Sequence, residues 1–523
     1  MEEARVSFVF VDTHYSKDMQ LDMWDEIVSM RSIISLANTF AQDPRVITME
    51  QLMVHGKKIS QHRLAKRLGM HAPNRCCAIF YRSNETLNQP STPGVMMSHD
   101  NLTFMASLIG KKILKGELGN FPDIHTKALK MMSSLPISKP TAFVMEVLLP
   151  IALGACVYTS SIKLSVSGLW HLVMFVEPNI ICVTTRSWIH LRNKITEKTH
   201  GFLSLRNWLS KYAKRTMLDS HLKERKVPKL ARAVIKGIGE QLGLGHAGLF
   251  LSFGSALPQS YFEYFLSLNI QVCALREVRF LSGPHCICLN ENEKLSAETM
   301  GTIFPEFQTQ MVRLGKTGAH RMLVKGRHVC MGILNDSITD HIDSSGYLDT
   351  EALTLTIQDE LYFVGSTGDE VVLTTGAVLS SICVETSFKR LVPIVASCML
   401  VGENMKTAAL LITLKTIINP ETLQATDVLT QEVQVWCEQK LQTQYLSADH
   451  LAHSKKLHVV INGALILINR LIKRCGGWIE AYKILPRNFS MVDMEIDPIT
   501  HELNRNLILQ RYRDDLLTLY PKY

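Results

Sequence analysis

The sequence contains no run of about 18 or more uncharged apolar residues, the length a helix needs to cross a bilayer. The two nearest stretches, Val147–Tyr158 and His458–Ile472, are too short. Peripheral attachment to intracellular membranes is left open by that test. No secretory leader is expected either: Met1–Val11 begins with two glutamates, and its short apolar stretch is broken by Ser7. The twelve cysteines are scattered without the spacing of a metal site, so reduced thiols in the cytoplasm and no bound metal are expected. The triplet Asn84-Glu85-Thr86 then has no meaning as a glycan acceptor. A net charge of +8 on 523 residues is too small an imbalance to argue for a nucleic-acid partner.

What is present is an ordinary globular composition, 46% apolar and 20% charged, on a chain too long for one core. Arg5–Val11 reads as a strand, Trp24–Thr39 as a helix and Val46–Leu52 as a short unit, followed by the basic stretch Lys57–Arg67. Asn101–Leu114 and Phe143–Leu153 have helical spacing, with strands expected at Met131–Ile137 and Ala155–Ser160. That alternation predicts βαβ units and a mostly parallel sheet. Lys211–Lys236 is rich in cations and reads as a solvated helical surface, with attraction to anionic lipid headgroups as the alternative. Gly243–Gly248, GLGHAG, has the letters of a dinucleotide fingerprint. It follows a helical stretch and precedes a strand, the reverse of the required order, and is set aside. Further on, Ile394–Lys415 suggests a hairpin. Leu429–Leu441 and Lys455–Lys473 suggest helices, the apolar residues of the second read as core.

The most informative stretch is Phe80–Asn101, FYRSNETLNQPSTPGVMMSHDN, an apolar strand-like run leading into and out of a small-residue loop. Tyr81, Ser83, Thr86, Gly94-Val95-Met96, Ser98-His99 and Asn101 resemble the ATP loop of the adenylate-forming family, usually written Y-[ST]-S-G-T-T-G-x-P-K-G-V-M-L-S-H-x-N. The lead-in NRCC at Asn74–Cys77 is similar to the bubblegum-type long-chain acyl-CoA synthetases. Other landmarks follow in order. Leu135-Pro136 and Ser138 resemble L-P-L-S-H, and Phe253-Gly254-Ser255-Ala256 resembles the Y-G-A-A loop. Ser282-Gly283-Pro284-His285 resembles the end of Y-G-L-S-E-T-S-G-P-H, and Gly346–Ala352 resembles G-W-L-H-T-G-D. Leu361–Gly365 resembles the L-Y-I-T-G hinge, and Leu485–Ser490 the L-x-R-D-F-S step.

The resemblance implies an α/β fold: a large N-terminal domain with mixed, mostly parallel sheets and helices, over residues 1–365, and a small α+β C-terminal domain over 366–523. It also implies that much of the family's first half-domain is missing, through truncation or a lost layer. By the same resemblance Ser83, Thr86, Gly94, Gly254, Ser255 and Ala256 are the vestiges of a nucleotide site.

The chemistry-bearing positions depart from the family. The two loop glycines fall at Asn84 and Leu87, and the lysine before Gly94 is Pro93. The gate histidine is Lys139. The glutamate that ligates magnesium falls at Phe280, and the threonine that contacts the adenylate phosphate at Leu281. The ribose-binding aspartate falls at Ala352, or at Glu351 with a one-residue gap, the hinge arginine at Ser366 and the last lysine at Glu502. A phenyl ring offers no oxygen to a hard cation, and a leucine donates no hydrogen bond. No catalytic residue and no metal ligand is therefore assigned; His285, Cys286 and Cys288 lack a second cluster and read as packing. The expectation is a non-catalytic relative of the long-chain ligases that needs no cofactor and retains a fatty acid or acyl-CoA site or acts through a protein partner. Two alternatives stand beside it: an active ligase using ATP, magnesium and coenzyme A, and a structural interaction protein.

Overall fold

A computed structural model describes residues 4–11, 29–36, 46–81, 94–121, 128–159, 166–199, 205–223, 226–254, 257, 259–287, 299–313, 320–335, 341–357, 360–366, 370–419, 424–473, 476–490, 492–496 and 503–520. They divide into two compact units, one drawn from Met1–Tyr81, Pro93–Asp100 and Cys330–Ile338, the other from the remainder.

In the first unit, Phe8–Val11, Ser32–Ser35 and Val46–Thr48 form a parallel sheet in that order. The helix expected over Trp24–Thr39 is thus corrected at its described part. Ser32–Ser35 is a strand with all four residues buried, paired on both sides. A short apolar run looks alike in a buried helix and a central strand, and here the parallel neighbours decide it. The chain leaves this sheet into the helix Met49–Lys57 through a capping box: Thr48 Oγ1 accepts from Gln51 N at 3.2 Å and Gln51 Oε1 accepts from Thr48 N at 2.9 Å. A second small sheet sets Cys76–Phe80 and Gly332–Ile333 antiparallel to either side of Val95–Ser98.

The second unit is built on a five-stranded parallel sheet, in the order Val272–Leu275, Leu249–Phe253, Ile180–Thr184, Lys130–Met132, Cys156–Tyr158. The strands LFLSF and IICVT are almost wholly buried, the unbroken apolar pattern of a parallel sheet covered on both faces. Trp188, fully buried, sits beside Trp170, Phe250 and Phe265 at ring separations of 5.2–6.3 Å and donates its indole N–H to Leu251 O. The helix expected at Phe143–Leu153 is present, but Val144–Leu148 is a π-helical turn between Pro140–Phe143 and Leu149–Leu153. An antiparallel sheet of six strands follows, in the order Cys286–Ile287, Thr299–Ile303, Glu360–Ser366, Leu348–Ile357, His320–Lys325, Gln308–Arg313.

From Val371 onward the chain builds two further cores on a three-stranded sheet of Val395–Val401, Ala408–Leu414 and Ile479–Ile484. Side chains alternate between them: Cys398, Leu400, Ala408, Leu410 and Ile412 enter one core, while Met399, Val401, Ala409 and Leu411 enter the other. The expected hairpin is the antiparallel pair Val395–Val401 and Ala408–Leu414. The helix Lys455–Ile472 buries Leu457, Ile461, Ala464, Leu465 and Ile468, but leaves Val459, Ile466, Leu467 and Leu471 exposed, so only part of its apolar content is core.

Glu385 is buried between these elements. It accepts two parallel bonds from Arg505 at 2.8 and 2.9 Å and one from Leu400 N at 2.7 Å. Removing the guanidinium strands a carboxylate in the core. Arg505→Ala is expected to lower stability by about 3–5 kcal/mol, read as a fall in the urea midpoint. A change within about 0.5 kcal/mol would mean that water reaches Glu385.

Candidate functional site

In parallel α/β sheets, ligands gather at the carboxyl ends of the strands. At that edge of the second unit the strand Leu249–Phe253 ends in Gly254 and its neighbour Val272–Leu275 runs into Arg276–Leu281. Gly254 has φ +100°, a conformation open to glycine, and donates its N–H to Leu275 O at 3.3 Å. The Gly254 turn and the Arg276–Leu281 segment are therefore neighbours, as the sequence motifs require.

The segment itself is filled. Phe280 is 3% exposed and Leu281 is 1% exposed. Phe280 adopts φ +68°, a left-handed backbone that is strained for a bulky residue. Its ring lies 5.2 Å from that of His341, with the Arg279 guanidinium 4.6 Å over it. Arg279 in turn makes an ion pair with Glu351, which also lies 3.9 Å from His341 Nδ1. Glu351 has φ +60°, and the next residue, Ala352, is buried and paired in register with Ser366. Hence the segment carrying Phe280 and Leu281 and the turn carrying Ala352 are joined through the Arg279–Glu351 pair, and Ser366 stands beside Ala352.

A second ion pair closes the same edge. Lys139, in the loop after Lys130–Met132, lies with its ammonium 3.6 Å from Glu277, and its side chain is only 9% exposed. Lys139 stands where the resembling family has its gate histidine, and Glu277 where it has glycine. Arg279 and Glu351 likewise stand on family serine and glycine positions. Departures that look independent along the chain thus pair in space, cation with carboxylate. Sequence reasoning flagged Lys139 and Glu351 singly and missed both pairings; the matching of opposite charges among the altered positions was the available signal.

What is kept holds backbone. Asn101 Nδ2 donates to Arg327 O and Val329 O, each at 2.8 Å. Ser282 Oγ donates to Asn101 O at 2.9 Å, and Ser282 N to His328 O at 2.8 Å. Gly94 belongs to the first unit, where a Cβ would come within 2.6 Å of Ile79 Cγ2 and 2.8 Å of the Tyr81 ring, so close packing alone accounts for it. Ser83, Thr86, Pro93, Ser255, Ala256 and Glu502 lie outside the described residues.

His285, at the end of the retained Ser-Gly-Pro-His run, shares a 3.0 Å hydrogen bond between its Nδ1 and His328 Nε2, and a 2.8 Å bond between its Nε2 and Thr309 Oγ1. Phe307 stacks on His328 at 3.6 Å. Among the described residues no group of three or more His, Cys, Asp or Glu is arranged to hold a metal ion. Burial pushes His285 down to about 4 and His328 to about 3, against 6.5 for free imidazole. Glu146, in the π-helical turn, moves the other way. Burial raises its carboxyl to about 7 although Ser134 N and Leu135 N donate to it at 2.9 and 3.2 Å.

These shifts oppose each other. Below about pH 6.5 the unfolded chain takes up imidazole protons that the folded chain refuses, so stability falls until the folded pair titrates near 4 and 3. Glu146 binds a proton more tightly when folded. Its contribution is full below 4.5 and is lost as pH rises through about 7. Glu146→Gln is expected to steepen the acid loss of stability by about 1.4 kcal/mol per pH unit between about pH 6 and 5, and His328→Gln to flatten it similarly. Urea midpoints across pH check this; equal slopes in all three proteins would contradict it. For the second ion pair, Lys139→Ala is expected to cost about 3–5 kcal/mol, and adding Glu277→Ala to restore part of that. A double-mutant cycle with no coupling would remove the pair from the account.

The chain matches no family model. Among curated proteins, it is 25% identical over 534 residues to the long-chain-fatty-acid–CoA ligase ACSBG2 of Xenopus laevis, covering 99% of this chain and 70% of that protein. It is 26% identical over 533 residues to the human protein of the same name, covering 99% and 77%. Among solved structures, it is similar to the anthranilate CoA ligase AuaEII in complex with anthranoyl-AMP, at TM-score 0.60 and 11% identity, covering 98% of this chain and 80% of that one. A chimera titled RpMatB-BxBclM, with ATP bound, gives TM-score 0.61 at 13% identity over 98% and 80%. The solved structures establish the α/β fold of adenylate-forming enzymes, and the relatives span nearly every residue of the chain. Its curated relatives over nearly the whole chain are bubblegum-type long-chain-fatty-acid–CoA ligases, and its fold is that of adenylate-forming enzymes.

Proposed function

We propose that the chain is a long-chain acyl-CoA ligase homologue that does not form an adenylate, and that it retains a site for a long-chain fatty acid or acyl-CoA. The observation that carries this reading is the buried phenyl ring of Phe280 at the position of the magnesium-binding glutamate, flanked by the Arg279–Glu351 pair. Mg-ATP needs oxygen ligands for its metal and unspent positive charge for its phosphates. Here Arg279 is met by Glu351 and Lys139 by Glu277, and Phe280 and Leu281 supply neither ligand nor donor. Loss of one charge-stabilising group typically costs 10²–10³ in rate. Pro93, Ala352, Ser366 and Glu502 add to the count without necessarily multiplying it. The acyl part of the reading is supported by the relatives, each named a long-chain-fatty-acid–CoA ligase. The division into 1–365 and 366–523 belongs to the same reading and is supported by the two cores past Val371, which among the described residues draw on none earlier in the chain.

The test is ATP–pyrophosphate exchange with saturated acids of about 12 to 24 carbons, together with calorimetry of Mg-ATP and of palmitoyl-CoA. We expect no exchange above a heat-killed control, no magnesium-dependent nucleotide binding, and saturable acyl-CoA binding. Phe280→Glu combined with Glu502→Lys is expected to leave exchange at background. Exchange above the control would return the chain to the active ligases. Absence of acyl binding as well as nucleotide binding would make it a structural interaction protein.

A further inference from the structure

The basic stretch singled out in the sequence is a two-helix surface. Residues 211–236 hold nine cations against two acids, a net +7 of the chain's +8. The helices Leu205–Lys223 and Lys229–Gln241 pack against one another. Each buries its far side in the same core, Ala213 and Met217 from the first and Ala231 and Ile235 from the second. Their outer faces therefore look away from that core. On the first helix Trp208, Lys211, Tyr212, Arg215 and Leu222 fall on one face by helical spacing, and all five are exposed. Trp208 is 63% exposed and stacks on Tyr212 at 5.9 Å with 9° between the ring planes. Leu230, at the start of the second helix, is 59% exposed.

Most of the charges on this surface are unspent. Lys223 pairs with Asp219 and Lys236 with Glu240, both one helical turn apart. Lys214 turns inward to the Tyr264 hydroxyl at 3.4 Å. Among the described residues, Lys211, Arg215, Lys226, Lys229 and Arg232 make no ion pair and all are exposed. A solvated helix face needs neither a concentration of nearly the whole net charge nor a large aromatic pair held in water.

We propose that this surface docks the protein on an anionic membrane. Cations beside exposed Trp, Tyr and Leu match a bilayer interface on both counts: phosphate and carboxylate headgroups take the charge, and the headgroup–acyl boundary takes the apolar and amphipathic rings. Single-stranded nucleic acid would satisfy the cations and the ring faces, but gives Leu222 and Leu230 nothing. The surface stands independently of the acyl-binding reading, which concerns the strand-end site.

The experiment is flotation of the full chain with phosphatidylcholine vesicles, with and without roughly 30% phosphatidylserine. Binding is expected only with phosphatidylserine, and should weaken as salt is raised. Lys211→Ala/Arg215→Ala is expected to lower partitioning about 25-fold, from roughly fivefold per cation near the surface. Trp208→Ala/Tyr212→Ala is expected to lower it about tenfold while the salt dependence persists. All four positions are exposed, so the urea midpoint serves as a folding control that should not move. Equal binding to both vesicles, no binding to either, or both double variants within twofold of the parent would overturn the proposal. So would displacement of bound vesicles by a single-stranded oligonucleotide, which would assign the surface to nucleic acid.

Discussion

A charge withdrawn from water must be met by an opposite charge, and the protein's strand-end site is organised by that constraint. An enzyme that handles nucleotide phosphates leaves its cations and metal ligands waiting for the substrate. In this chain two cations of the corresponding region already have carboxylate partners, Lys139 with Glu277 and Arg279 with Glu351. The elements that carry these pairs are held elsewhere, by Asn101, Ser282 and the buried histidines.

Backbone strain belongs to the same picture. Phe280 and Glu351 both sit at positive φ, where most side chains are disfavoured. Such conformations persist only where the surroundings fix them. The surroundings here are the buried Phe280 ring, its contact with His341, and the Arg279–Glu351 pair, which holds the two turns to each other. Those contacts hold both turns in their left-handed conformation.

Much of the fold was readable because it rests on local pattern. The buried strand LFLSF and the hairpin of Val395–Val401 and Ala408–Leu414 declare themselves in a few apolar residues. Ser32–Ser35 was misread because two isoleucines between serines carry no periodicity; only the strands beside them define the conformation. The π-helical turn at Val144–Leu148 has no sequence signature of its own. At the site, the departures from the family's wording, such as Phe280, Leu281 and Ala352, could be read position by position. The replacement pairs could not, because Lys139 and Glu277 meet only through the order of strands in the sheet.

The two cores past Val371 share a wall. Neighbouring residues of Val395–Val401 and Ala408–Leu414 point into opposite layers, so neither layer can loosen without releasing the other side of the same strands. Helices on one side and the terminal segment on the other are thereby mechanically joined. This part of the molecule should melt as a single cooperative block, despite having two distinct interiors.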